Sequence, residues 1–166
     1  MHKQHFLKDQ FLKLIAENQG LIYKVCNMYC NNKLDKEDLF QDIVLQLWRA
    51  YPAFKGDSKV STWMYRIAIN NAITRLRKET RREKFTGLDD EAFRVAAAEH
   101  DSIDENITQM YEAIKKLSEV ERALTMLYMD DCSYKEIAEI LGLSESNVGF
   151  KLNRIKAKLR TLINIG

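Results

Sequence analysis

One proline and six glycines are all that interrupt 166 residues in which apolar side chains recur three and four positions apart, a pattern that admits a helical fold and little else. Phe6, Leu7, Phe11, Leu14 and Ile15 keep this spacing, and Leu21, Ile22, Val25, Met28 and Tyr29 resume it after Asn18-Gln19-Gly20. Asn31-Asn32-Lys33 makes a turn. Asp35 reads as the N-cap of the next helix, with Glu37 and Asp38 placing negative charge in its first turn, where the helix dipole favours it. That helix turns Leu39, Phe40, Ile43, Val44, Leu47 and Trp48 inward and stops near residue 50, because Pro52 disfavours helical geometry in Tyr51. After a loop at 54–58, a long helix is expected from about 60 to 82. Further helices are expected at about 105–117, 119–129, 134–141 and 145–162, so the fold class is all-α.

The net charge of +2 conceals a segregation. Arg75, Arg77, Lys78, Arg81, Arg82 and Lys84 crowd one segment, and Lys151, Arg154, Lys156, Lys158 and Arg160 another. Between them Asp89, Asp90, Glu91, Glu99, Asp101, Asp104 and Glu105 oppose only Arg94. Two small helical domains, 1–83 and 105–166, are therefore expected, joined by a mobile acidic linker at 84–104 with at most a short helix around 90–97. Two basic surfaces suit two contacts with a polyanion. For either cluster alone, a solvated helix face explains the charges equally well.

Several classes of function are set aside by what the chain lacks. No apolar run approaches the roughly 20 residues that span a bilayer, and MHKQHFLKDQ has no signal-peptide core, so a cytoplasmic protein without membrane insertion is expected. Cys26, Cys30 and Cys132 fit no disulfide framework or zinc spacing and read as buried thiols. His2, His5 and His100 do not combine into a metal site. No phosphate loop or nucleophile and base pair is evident, so neither catalysis nor a cofactor is expected.

The sequence between Ser133 and about Leu162 reads as a helix-turn-helix. Ser133 with Glu136 forms a capping box ahead of a short helix bearing Ile137, Ala138 and Leu141. Gly142 permits a left-handed turn, Leu143 plugs the core and Ser144 caps the second helix. On a wheel of about 100° per residue, Val148, Leu152, Ile155 and Leu159 share one side, while Phe150 falls opposite among Ser146, Asn153, Arg154 and Ala157. An outward phenylalanine has two explanations: packing against a neighbouring helix or domain, or packing on a thymine methyl in the major groove. Helix-turn-helix docking favours the second, with Asn153 and Arg154 at base edges and Lys151 and Lys158 at phosphates.

A second stripe runs along the 60–82 helix, where Trp63, Arg66, Asn70, Thr74, Arg77 and Arg81 align. The loop before it mixes Lys55, Gly56, Asp57, Ser58, Lys59 and Ser61, groups able to hold an unstacked base while an aromatic wedges or stacks. Composition alone reads Trp63 as a core residue and Asp57-Ser58 as a turn.

Asp38-Leu-Phe-Gln-Asp-Ile-Val-Leu-Gln-Leu-Trp-Arg49, followed by Phe54-Lys-Gly-Asp-Ser and Thr62-Trp-Met-Tyr-Arg-Ile-Ala-Ile-Asn70, closely resembles the second region of sigma-70-type RNA polymerase initiation factors. The stretch from about Ile114 through Ser133-Tyr-Lys-Glu-Ile-Ala138 to Arg160 is similar to their fourth region. With these two regions and a short linker, nearly the whole chain resembles the small extracytoplasmic-function (ECF) branch.

The resemblance implies a sigma factor that binds core RNA polymerase and directs promoter-specific initiation. It implies docking of the Asp38 to Arg49 helix on the clamp coiled coil of the β′ subunit, with the β subunit also in contact. Asp38, Gln41, Asp42, Leu45 and Arg49 are the implied contacts, and Leu45 independently falls off the apolar face of its helix. Lys55, Gly56, Asp57, Ser58, Lys59 and Ser61 are implied to capture a flipped base of the −10 element. Trp63 would stand at the upstream fork of the melted bubble, with Arg66, Asn70, Asn71, Thr74 and Arg77 on the duplex edge. Ser146, Asn147, Gly149, Phe150, Lys151, Asn153, Arg154 and Lys158 would face the −35 element, and an anti-sigma factor is an implied partner. The chain departs from the family at Ser146-Asn-Val-Gly-Phe-Lys151: glycine replaces a cation and phenylalanine a serine. Gly149 is expected either to let the backbone approach DNA or to weaken the helix. The rival is a helix-turn-helix repressor or activator that does not bind core polymerase, which leaves the Asp38 to Arg49 and Lys55 to Trp63 patterns without a purpose.

Overall fold

The computed structural model describes residues 1–86 and 105–164, which divide into two compact units, Met1–Thr86 and Gly87–Gly166. Among the described residues every regular element is helical: α1 (His2–Glu17), α2 (Gln19–Tyr29), α3 (Lys33–Ala50), α4 (Val60–Thr86), α5 (Glu105–Lys115), α6 (Glu119–Met129), α7 (Tyr134–Leu141) and α8 (Glu145–Asn164), with a 3₁₀ turn at Tyr51–Ala53. The all-α reading therefore stands. No helix among the described residues is long and apolar enough to cross a membrane. The expected linker, with its short helix at 90–97 and His100, lies outside the described residues from position 87 onward. Residues 84–86, the first of the expected linker, are helical and continue α4 to Thr86.

The core of the first unit is made where α2, α3 and α4 pack against one another. Ile22, Val25 and Cys26 of α2, Leu39, Ile43 and Leu47 of α3, and Met64, Tyr65, Ala68, Ile69 and Ala72 of α4 are buried. The α4 set repeats at i, i+1, i+4, i+5 and i+8, one face of a helix, and its two alanines let a neighbouring helix approach closely. On α1, Phe11 makes ring contacts with Trp48 at 5.1 Å and Tyr51 at 5.3 Å.

The start of α3 corrects the sequence expectation. Asn32, not Asp35, is the N-cap: its Oδ1 accepts from the Asp35 backbone N–H at 2.8 Å, and its Nδ2 donates to Asp35 Oδ2 at 2.8 Å. Asparagine caps as well as aspartate, and this choice leaves the Asp35 carboxylate inside the first turn, where the helix dipole favours an anion.

In the second unit, Ala113, Ile114 and Leu117 pack with Ala123, Leu124 and Leu127 of α6, Ile137 and Ile140 of α7, and Val148, Leu152 and Ile155 of α8. Short helices need their ends satisfied. Ser118 and Glu121 form a complete capping box at α6, and Arg122 donates to the carbonyls of Lys115 at 2.7 Å and Leu117 at 3.2 Å, closing the end of α5. The Ser133 hydroxyl oxygen accepts from the Glu136 backbone N–H at 3.1 Å. Gly142 takes φ +69°, and the Leu143 N–H reaches back to the Ala138 carbonyl at 3.1 Å. Ser144 Oγ then accepts from Asn147 N–H at 3.1 Å. These bonds place α7, turn and α8 as the expected helix-turn-helix.

Candidate functional site

On α8 the wheel is realised. Val148, Leu152 and Ile155 are buried, while Ser146, Asn147, Asn153, Arg154 and Lys158 are exposed and Lys151 is half-buried. Phe150 is 61 % exposed, with the Arg154 guanidinium 5.7 Å from its ring centroid. Among the described residues of its unit none buries the phenylalanine, and it shares the outer face with a cation able to stack on it.

Two residues of this face have partners that sequence did not foresee. A Cβ at Gly149 would stand 3.3 Å from Cε2 of Tyr134, so the space a side chain would take is filled by the first residue of α7. Lys158 Nζ lies 3.4 Å from Glu121 Oε1. Burial raises the pKa of the Glu121 carboxyl, but hydrogen bonds from the Ser118 backbone and hydroxyl, together with Lys158, outweigh it and hold the group below its ordinary value. Of the other cations in this segment, Lys156 lies 4.5 Å above the Tyr128 ring and donates to its hydroxyl at 3.2 Å.

In the first unit, Trp63 is half-buried and stacked on Phe54, with ring centroids 4.6 Å apart at 27°, and tilted against Tyr51 at 6.3 Å. The loop entering α4 exposes Lys55, Gly56, Asp57 and Lys59 and half-buries Ser58, whose Oγ donates to the Lys59 carbonyl at 3.4 Å. Gly56 has φ +77°, a conformation that side chains rarely adopt. Ser61, expected in the loop, lies in the first turn of α4. Arg66, Asn70, Thr74 and Arg77 are exposed along α4, continuing from Trp63 as one stripe. Asn71 is turned away from that stripe: its Nδ2 is buried and has no hydrogen-bond partner among the described residues.

Arg75 is also absent from the stripe, which corrects its assignment to the basic surface. Its side chain is 22 % exposed and faces acids: Asp35 at 3.6 Å, Asp38 at 3.9 Å, Asp42 at 3.7 Å and Glu79 at 3.2 Å. Burial disfavours its charge, yet the Glu79 hydrogen bond and the surrounding negative groups hold its pKa above the ordinary value. The signal was present in the sequence as an acidic i, i+3, i+7 row on α3, but only packing shows which cation meets it.

Asp38, Gln41, Asp42, Leu45 and Arg49 are all exposed on α3, on one face of the helix. Beside them lies an apolar groove of about 580 Å³, walled by Phe11, Leu12, Phe40, Val44, Leu45 and Trp48. The groove was not foreseen, since it needs the register of α1 against α3. Cys26 is buried and Cys30 half-buried; removal from water is the main cause that pushes their pKa values up to about 12 and about 11, so both stay protonated thiols near neutral pH. No cluster of metal-ligating side chains is found among the described residues.

Fold and site together define an all-α helix-turn-helix protein whose other unit carries an aromatic-headed polar stripe. The sigma-70 region 2 model matches residues 14–82 and the sigma-70 region 4 model residues 107–159. The chain is 31 % identical over 158 residues to the ECF RNA polymerase sigma-E factor of Escherichia coli K12, covering 88 % of this chain and 82 % of that protein. It is 25 % identical over 168 residues to the sigma-E factor of Haemophilus influenzae, covering 94 % and 88 %. Over 54 residues it is 46 % identical to ECF sigma factor SigG of Mycobacterium tuberculosis H37Rv, a match spanning only 15 % of that longer protein. The fold is that of Bartonella quintana RpoE, solved with the anti-sigma factor NepR (TM-score 0.70, 19 % identity, 95 % and 96 % coverage), and of CnrH, solved with the cytosolic domain of CnrY (0.67, 22 %, 95 % and 90 %). The chain belongs to the ECF sigma factors, the RNA polymerase initiation subunits that direct promoter-specific transcription and are not enzymes.

Proposed function

We propose that residues 1–83 dock on core RNA polymerase and recognise and melt the −10 element, that 84–104 connect, and that 105–166 read the −35 element. The observation that carries this is the division of exposed polar faces. One face of α3 presents Asp38, Gln41, Asp42, Leu45 and Arg49, a separate face of α4 presents Arg66, Asn70, Thr74 and Arg77, and α8 presents Asn153 and Arg154 beside Phe150. A repressor or activator needs the last of these faces and gives no role to the first.

Docking through α3 uses the two carboxylates, Gln41 and Arg49 around Leu45 against the β′ clamp, with the β subunit also engaged. At the −10 element the positive-φ Gly56 lets the loop turn tightly, so that Lys55, Asp57, Ser58 and Lys59 surround one extruded base. Ser61 acts there from the first turn of α4. Extrusion costs a few kcal/mol, so docking and promoter contacts together supply the melting energy and no nucleotide hydrolysis is required. Trp63, backed by Phe54, stands at the upstream fork. Asn71 belongs to this set only if its amide turns outward.

At the −35 element Ser146, Asn147, Phe150, Asn153 and Arg154 face the groove, Lys151 meets phosphate, Lys158 does so after exchanging Glu121 for it, and Gly149 leaves room for the Tyr134 ring beside this face. The protein works in the cytoplasm with polymerase. The anti-sigma complexes of the structural neighbours support an anti-sigma partner here as well. The test is reconstitution: full-length chain mixed with core polymerase is expected to co-elute and to select promoter fragments carrying paired −35 and −10 sequences. A chain that binds DNA but neither co-elutes with core nor redirects its transcripts would be the repressor instead.

A further inference from the structure

The row Asp35, Asp38 and Asp42 places three carboxylates within about 60° of one another on α3. Left to themselves, like charges at this spacing repel and splay their side chains. The cation that gathers them comes from the neighbouring helix. Arg75 Nη2 lies 3.6 Å from Asp35 Oδ1 and 3.9 Å from Asp38 Oδ2, Nη1 lies 3.7 Å from Asp42 Oδ2, and Nε is held by Glu79 Oε1 at 3.2 Å. Only Nε is within hydrogen-bond distance of its partner, Glu79 of its own helix, while the two terminal nitrogens stand at ion-pair distance from α3, so that one planar group faces three carboxylates at once. A lysine ammonium, a single point on a flexible stem, does not reproduce this. Asp38 and Asp42 remain 68 % and 59 % exposed, so they are held on one side and open to a partner on the other.

We propose that Arg75 is a positioning residue for polymerase docking, presetting Asp38 and Asp42 from α4, the helix that carries the −10 stripe between Trp63 and Arg77. This rests on the docking role given above to α3. Arg75 itself touches neither polymerase nor DNA. Its contribution is to order two carboxylates before the partner arrives, which removes part of the ordering cost from the binding step. It also ties the docking face to the DNA-facing helix through one guanidinium.

Two accounts of Arg75 make opposite forecasts. If it only offsets negative charge, removing it makes the face more acidic and tightens binding to a basic partner. If it positions, removing it weakens binding, and lysine, which keeps the charge, fails to restore it. The experiment measures affinity of the full chain for core polymerase by fluorescence anisotropy, for wild type, Arg75→Ala, Arg75→Lys, Glu79→Gln, Asp38→Asn with Asp42→Asn, and that pair with Arg75→Lys. Arg75→Ala and Arg75→Lys are expected to weaken binding by about three- to tenfold, and Arg75→Lys to change it less than about twofold once both aspartates are asparagine. Glu79→Gln, which loosens the Arg75 fork without touching α3, is expected to weaken binding by a smaller factor and carries the test if Arg75→Ala loses helicity.

Tightened or unchanged binding in Arg75→Lys, or an undiminished effect without the aspartates, overturns the proposal. If the aspartate pair alone leaves affinity unchanged, the docking reading of α3 falls and the proposal falls with it. Weakened binding in the aspartate pair with no response to Arg75→Lys overturns the positioning role alone.

Discussion

At the scale of single residues, the two departures on α8 have different physical meanings. Gly149 is occupied space: a methyl group there meets the Tyr134 ring at 3.3 Å. Tyr134 is 39 % exposed and can swing outward by the few tenths of an ångström required. Alanine also gains helix propensity of about 1 kcal/mol over glycine. Gly149→Ala is therefore expected to raise the melting temperature of the protein slightly, and a fall would mean that the Tyr134 ring is locked. Phe150 is the reverse case, a largely exposed aromatic whose ring contact is the exposed Arg154 guanidinium. Phe150→Ala is expected to change stability by less than about 0.5 kcal/mol and to shift preference across a randomised −35 library; an unchanged binding profile would argue against base contact. Sequence alone placed Phe150 outward, because one helix's period suffices for that. It could not decide Gly149, whose neighbour belongs to a different helix.

At the scale of elements, the short helices of the second unit depend on their ends. Glu121 closes the α6 capping box and also holds Lys158 of α8. Its folded-state pKa lies below its ordinary value of 4.5, so its stabilisation is present above that pH and is lost as the pH falls through the lowered value. Glu121→Gln is expected to be less stable than wild type at pH 7, with the gap closing under acid. Chemical unfolding from pH 7 to pH 3 measures this, and a gap constant with pH would show that the carboxylate charge is not what matters. The helix-turn-helix was legible in the sequence because Ser133, Gly142 and Ser144 act locally, through bonds to backbone three to five residues away. Asn32 rather than Asp35 as the cap of α3 was less so, since both residue types cap and the choice between them turns on where the helix begins.

At the scale of the whole molecule, docking and strand opening are assigned to different helices of the first unit and are therefore separable. Trp63 stacks on Phe54 and lies on α4, whereas the exposed docking row belongs to α3. Trp63→Ala is expected to keep core-polymerase affinity within about twofold while reducing open-complex formation by tenfold or more, about 1.4 kcal/mol at 25 °C. Permanganate reactivity of the −10 strands reads this directly, and equal reactivity for wild type and variant would remove Trp63 from the melting step.

What the sequence by itself determined is whatever repeats along one chain segment. The all-α class, the run of helices, the outward stripe on α4 and the turn between α7 and α8 all follow from a period of 3.6, few breaking residues and caps that act over three or four positions. What only the tertiary structure decided is which side chains from different helices meet. Arg75 sits in a basic run and reads as one more cation for DNA, yet it faces three aspartates of α3. Lys158 finds Glu121, Tyr134 fills the gap at Gly149, and the groove beside Leu45 appears only when α1 is laid against α3. The reason is physical: charge and shape act through space, and the distance between residues 35 and 75 is set by how α3 and α4 pack rather than by the forty positions between them.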